Sequence, residues 1–165
     1  MNVTEALEKI LPSFQRYYNI KREDVADPFA VEAEFATHDE QYFLLKSAKL
    51  FESDSKEYIF FATEEQLTFE RLTELDEKAW SECMSRVRPV QGHKCTDAAL
   101  IILAEKIDDD AFSAVRKIRH GKSYRFGIYG WSNYRLIAVE LSSGRVAHNR
   151  LGESLKKLVS NIFNN

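Results

Sequence analysis

Five cationic side chains fall within ten residues of "RKIRHGKSYR": Arg116, Lys117, Arg119, Lys122 and Arg125. Such a cluster attracts phosphate or carboxylate through charge density, which demands little exactness of spacing. The stretch that overlaps and follows it, "YRFGIYGWSNYRLIAVEL" (124–141), adds aromatic rings and a further arginine. Arginine beside aromatics suits recognition of a protein or an anion better than membrane contact. The candidate binding surface is therefore Arg116, Arg119 and Lys122 together with Tyr129, Trp131 and Arg135. The set contains no catalytic residue, implies no cofactor and holds no metal ligand. The competing explanation is that the bases simply complement the dipole at a helix C-terminus.

Other chemistries are weaker. "HGKSYRFGIY" (120–129) places Lys122, Tyr124, Phe126 and Tyr129 at the offsets of the aromatic RNA-binding strand of RRM domains. Ser123 and Arg125 fill its small-residue positions, however, and Gly127 replaces its aliphatic. "LIAVELSSGRVAHNRLGESLKKLV" has the rhythm of nucleases in which Glu-x-Lys binds a divalent metal, yet Glu140 is followed by Ser142, not lysine. Asp54-Ser55-Lys56, the other match, reads as part of a turn. Cys83, His93 and Cys95, with His38, fit no zinc-finger spacing. Ser132 in "GWSNY" lacks the glycine pattern of a nucleophile elbow. Glu32, Glu34, Asp39 and Glu40 read as a solvated strand face and loop.

The elements that must position these residues fit into one domain of 165 residues, 44% hydrophobic and 30% charged. The longest apolar run, Ala98–Ala104, is far short of a membrane span of about 20 residues. Acids in "MNVTEALEKILPSF" argue against a signal peptide, and two cysteines make no disulfide framework. A cytoplasmic protein with reduced thiols and no membrane contact is expected. Residues 1–82 carry 9 Lys+Arg against 19 Asp+Glu, and residues 83–165 carry 14 against 7. This polarity, −10 against +7, suits halves packed together, a homo-oligomer, or a basic face for an anion.

Val3, Leu7, Ile10, Leu11, Phe14 and Tyr18 predict a helix capped by Asn2 and Glu5, with a break near Pro12. "KREDVADPF" (21–29) reads as a polar connector. Alternation at Val31, Ala33 and Phe35 predicts a strand with Glu32 and Glu34 in water, and "EQYFLLKSAKLF" (40–51) and "EYIFFA" (57–62) continue an antiparallel meander. Thr63 and Gln66 suggest a cap for a helix through Leu67, Leu72, Leu75, Ala79 and Cys83. "AALIILAEK" (98–106) predicts a strand covered on both faces. A helix through "AFSAVRKIRH" starts at Asp108–Asp110 and stops at Gly121. "RVAHN" (145–149) predicts a short strand, and Leu155, Leu158, Val159 and Ile162 a closing helix. The order is α-β-β-β-α-β-α-β-β-(β)-α, a single α+β domain over 1–165 with helices packed on a largely antiparallel sheet.

Within that order, 124–130 and 134–141 predict a hairpin around "WSN" (131–133). A two-residue turn at Ser132-Asn133 sets Arg125 opposite Glu140. An odd loop instead leaves Arg125, Tyr129 and Arg135 outside. Either register buries Phe126 and Ile128, so the aromatic mass is expected to hold the sheet together, leaving the hairpin tip for recognition.

"FGIYGWSNYRLIAVEL", "EYIFFA" and "YFLLKSAKLF" resemble an uncharacterised family of small bacterial proteins found in clostridia and their relatives. The resemblance implies a bacterial cytosolic single domain and assigns no activity or site residue. The resulting expectation is a non-enzymatic protein that binds an unknown protein partner or anionic ligand. The alternative is a nucleic-acid-associated protein, with a degenerate restriction-endonuclease-like fold as one form of it.

Overall fold

The computed structural model describes residues 1–35 and 55–164. The strand expected over 40–51, together with His38, Asp39, Glu40 and Asp54, lies outside the described residues. Helix α1 (Val3–Ile10) carries the expected capping box: Glu5 N–H donates to Asn2 Oδ1 and Asn2 N–H to the Glu5 carboxylate. Pro12 then sits in a 3-10 turn over Leu11–Ser13, the expected break. Next come β1 (Tyr18–Lys21), β2 (Val31–Phe35), β3 (Ser55–Leu67), α2 (Phe69–Arg86), β4 (Cys95–Ile107) and α3 (Asp109–Val115). The chain closes with β5 (Gly121–Ser123), β6 (Trp131–Glu140), β7 (Val146–His148) and α4 (Glu153–Phe163).

The described strands form one mixed sheet in the order β1-β2-β3-β4-β6-β5, with β7 also paired to β6. The outer pairings are antiparallel, while β3-β4 and β4-β6 are parallel. Parallel neighbours need crossovers, and α2 and α3 supply them on one face. There Leu72, Leu75, Ala79, Ala111 and Val115 meet Phe60, Leu100, Ile102, Tyr134 and Leu136. On the other face α1 and α4 bring Leu7, Ile10, Leu155 and Val159 onto Ile59, Phe61, Ile101, Leu103 and Ile137. The domain is thus α+β with a central sheet covered on both sides, which explains why β4 is apolar at both parities. No described helix is long and apolar enough to cross a membrane.

Several expectations are corrected. Tyr18 leaves the first helix and starts β1, a strand that takes in Lys21 from the expected connector. Strand β3 runs on to Leu67, so Thr63 caps nothing; Thr68 is the N-cap of α2, its Oγ1 accepting from Arg71 N–H at 3.1 Å. Ser55 and Lys56 belong to that strand rather than to a turn. Glu32 is buried, not solvated, because Arg86 makes two hydrogen bonds to it. Helix α3 ends at Val115, and Gly121 opens a strand instead of stopping a helix.

The expected hairpin around "WSN" is also replaced. Strand β5 ends at Ser123, which pairs with Trp131, so residues 131–133 are strand and 124–130 form the connection. Arg125, Phe126 and Gly127 all take positive φ, and Gly127, Ile128 and Tyr129 N–H groups donate back to Tyr124 or Arg125 carbonyls. Backbone donors satisfied inside the turn are lost to a ladder. Phe126 and Ile128 are therefore exposed, at 104% and 74%, instead of buried. Arg125 hydrogen-bonds Tyr129 Oη at 3.0 Å and does not meet Glu140.

Candidate functional site

The outer edge of β6 faces β5 at residues 131–133 and β7 at 137–139, so on that edge no strand among the described residues pairs with Tyr134–Leu136 between them. The side chain of Asn149, just after β7, fills the gap. Its Oδ1 accepts from Leu136 and Gly152 N–H, and its Nδ2 donates to Ile118 and Tyr134 carbonyls, at 2.8–3.1 Å. Every donor and acceptor site of that amide is occupied, so the junction between α3, β6 and α4 is fixed by one buried residue. Gly152 permits it, since a Cβ there would lie 2.3 Å from the Leu136 carbonyl oxygen.

Two adjoining hollows open along this edge and share Arg119, Asn149 and Arg150. The first, about 300 Å³, is lined by Arg116, Arg119, His148, Arg150 and Lys156, with no acid on its wall. Residues 116 and 119 follow α3, His148 ends β7 with 149 and 150 just after it, and Lys156 lies on α4. The second, about 350 Å³, is lined by His120, Gly121, Tyr134 and Leu151 besides the shared residues. Among the described residues no carboxylate pairs with Arg116, Arg119, Arg150 or Lys156.

The wall of the second hollow is anchored inward. His120 Nε2 lies 2.9 and 3.1 Å from the two oxygens of Asp76 on α2, a buried carboxylate. A carboxylate only accepts at neutral pH, so Nε2 is the donor and Nδ1 is left over. Trp80 stacks on the imidazole at 5.2 Å, and the Tyr134 ring meets it edge-on at 5.0 Å. The Tyr134 hydroxyl is buried beside the Asp76 carboxylate. Burial, with the Asp76 charge nearby, pushes it well above the ordinary phenol range. In the first hollow His148 Nδ1 lies 2.7 Å from the Asn149 carbonyl oxygen, so Nδ1 donates and Nε2 remains.

The six residues singled out in the sequence do not form one surface. Arg116 and Arg119 line the cleft. Lys122 stands exposed on β5 with its ammonium 5.6 Å from the Tyr124 ring centroid. Tyr129 is half-buried and held by Arg125, and Trp131 is partly exposed at the start of β6. Arg135 points to the opposite face of the sheet, where it pairs with Glu57, itself hydrogen-bonded by Tyr18 Oη, and donates to Ser154 Oγ. Burial lowers the Arg135 pKa, and the arginine is committed to packing. The sequence reading missed Arg150, Lys156, His120, His148, Asn149 and Asp76. The dense "HNR" of 148–150 was the one local signal.

The other candidates resolve as structural. Glu140 accepts from Ile107 N–H, Arg145 and Ser143, and Arg145 with Ser143 holds its carboxyl down to about 2. Burial pushes the Cys83 thiol up to about 12, and His93 bridges the Tyr129 carbonyl and Thr96 Oγ1. Ser132 is buried and hydrogen-bonded to Tyr124 Oη at 2.9 Å. Among the described residues no three His, Cys, Asp or Glu side chains converge as a metal ion requires. A family model described as Domain of unknown function (DUF8052) matches residues 2–161. No curated protein and no solved structure matches the chain.

Proposed function

We propose, for a chain that belongs to the DUF8052 family, that it is a binding protein for a phosphate-bearing anion held in the cleft beside β6. The observation that carries this reading is the lining of the first hollow: Arg116, Arg119, Arg150 and Lys156 converge from three segments with no acid among them. Like charges gathered without counter-charge repel one another, and an anion relieves that repulsion. Arginine adds planar, bidentate geometry suited to phosphate oxygens. The second hollow extends the site with His120, Tyr134 and Leu151, a less charged wall for the rest of the ligand.

Nucleic acid is the second reading, favoured by the continuity of the two hollows, which suits a chain of phosphates better than one. A cytoplasmic setting agrees with a chain that has only two cysteines, Cys83 and Cys95, and the resemblance to small bacterial proteins adds a bacterial one.

A fluorescein-labelled single-stranded DNA oligonucleotide serves as a polyanion probe in anisotropy titrations from about 50 to 200 mM salt. With three or four phosphate contacts, the expected logarithmic salt slope is about −2 to −3. Arg119→Ala combined with Arg150→Ala should weaken binding about tenfold or more at low salt. Absence of binding at low salt, or equal binding by the double variant, overturns the reading.

A further inference from the structure

We infer that the cleft cleaves RNA by metal-independent transfer of the phosphate to the neighbouring 2′-hydroxyl, with His148 as general base and His120 as general acid. The inference rests on the anion-binding reading above. Each histidine lines one of the two hollows that share Arg119, Asn149 and Arg150. Each has one ring nitrogen held by the protein and one with no hydrogen-bond partner among the described residues, so each can exchange a proton with a ligand.

The roles follow from charge. Asp76 supplies the counter-charge to an imidazolium at His120, whose Nδ1–H then becomes a donor toward the cleft. His148 stands among Arg116, Arg119, Arg150 and Lys156 and has no carboxylate partner among the described residues. Its Nδ1–H is fixed on the Asn149 carbonyl, so Nε2 presents a lone pair. Besides Asp76, the groups around His120 among the described residues include Arg119 and Arg150, the Trp80 ring and Tyr134.

In the step, His148 Nε2 takes the proton of the 2′-hydroxyl as the O2′–P bond forms. The P–O5′ bond breaks, and O5′ takes the proton of His120 Nδ1. The products are a 2′,3′-cyclic phosphate and a 5′-hydroxyl; one histidine gains a proton and the other loses one, so no further reagent is consumed. The cations stabilise the charge that builds on phosphorus oxygens in the transition state. Asp76 is a positioning residue in this scheme, acting through His120.

The test uses a single-stranded RNA labelled at its 5′ end and a copy with 2′-deoxyribose at one linkage, both incubated with the protein in EDTA. Cleavage of the RNA to cyclic-phosphate ends is expected, with the deoxy linkage left intact. His120→Gln and His148→Gln should each lower the rate at saturating RNA about 100-fold or more, with the circular dichroism spectrum of the folded protein retained. The pH profile should be bell-shaped, because one histidine acts neutral and the other protonated. Asp76→Asn should move the alkaline limb of that profile, which reports the protonated general acid, to lower pH, a shift that a purely structural role would not produce. Binding without cleavage, cleavage of the deoxy linkage, or full rates in both histidine variants overturns the inference while leaving the binding reading intact. Failure to bind either oligonucleotide overturns both.

Discussion

Two regions of this protein use arginine in opposite ways. Around the sheet, Arg86, Arg135 and Arg145 each meet a carboxylate, on Glu32, Glu57 and Glu140 respectively, and the first two pairs tie together segments far apart in the chain. Along the outer edge of β6, Arg116, Arg119 and Arg150 stand together with Lys156 and no acid. The first set is compensated and structural. The second leaves its electrostatic potential in the solvent, where a ligand meets it. Arginine content alone does not separate them; the presence of a carboxylate does.

Breaking a pair in the first set should have the largest effect on stability. Glu57→Ala strands Arg135 in a site where burial already lowers its pKa, and a loss of about 3 kcal/mol is expected in urea denaturation. Gly152→Ala acts on the frame of the second region. Its Cβ would meet the Leu136 carbonyl oxygen, so the Asn149 junction must shift, at a cost of about 2 kcal/mol and with weaker anion binding. Glu140 sets a pH dependence. Its folded pKa, about 2, lies below the ordinary 4.5, so its contribution is complete above pH 4.5 and disappears as pH falls through 2. That contribution is on the order of 1–2 kcal/mol, allowing for solvent screening around the exposed Arg145. It is measurable as the acid limb of a stability curve, which Glu140→Gln should flatten.

Smaller effects sharpen the contrast. Phe126→Gly removes an exposed ring at positive φ and should raise stability by about 0.5–1 kcal/mol in the same denaturation experiment. Arg119→Ala should change stability by less than about 0.5 kcal/mol while weakening anion binding. A large stability loss from Arg119→Ala would place it in the paired set and dissolve the distinction.

Much of the fold is legible in local sequence. Asn2 and Glu5 cap α1, Pro12 ends it, the two-sided apolarity of Ala98–Ala104 marks a central strand, and Leu155, Leu158, Val159 and Ile162 mark α4. The stretch at 124–130 misleads because its strand-like composition conceals successive left-handed residues, Arg125 and Phe126, that ordinary propensity disfavors. Arg116 and Arg119 were visible as a cluster, but Asp76 and His120 are 44 positions apart with no spacing to connect them.

Period, capping and charge order depend on neighbours in the chain, and these determined the element order, the buried central strand and the basic character of the second half. Which strands lie parallel, where the sheet edge opens, and which cations keep a carboxylate partner depend on contacts between distant segments. Only tertiary packing decided those, because it places Asn149 against β6, turns Arg135 away to Glu57, and brings His148, Arg150 and Lys156 beside Arg119.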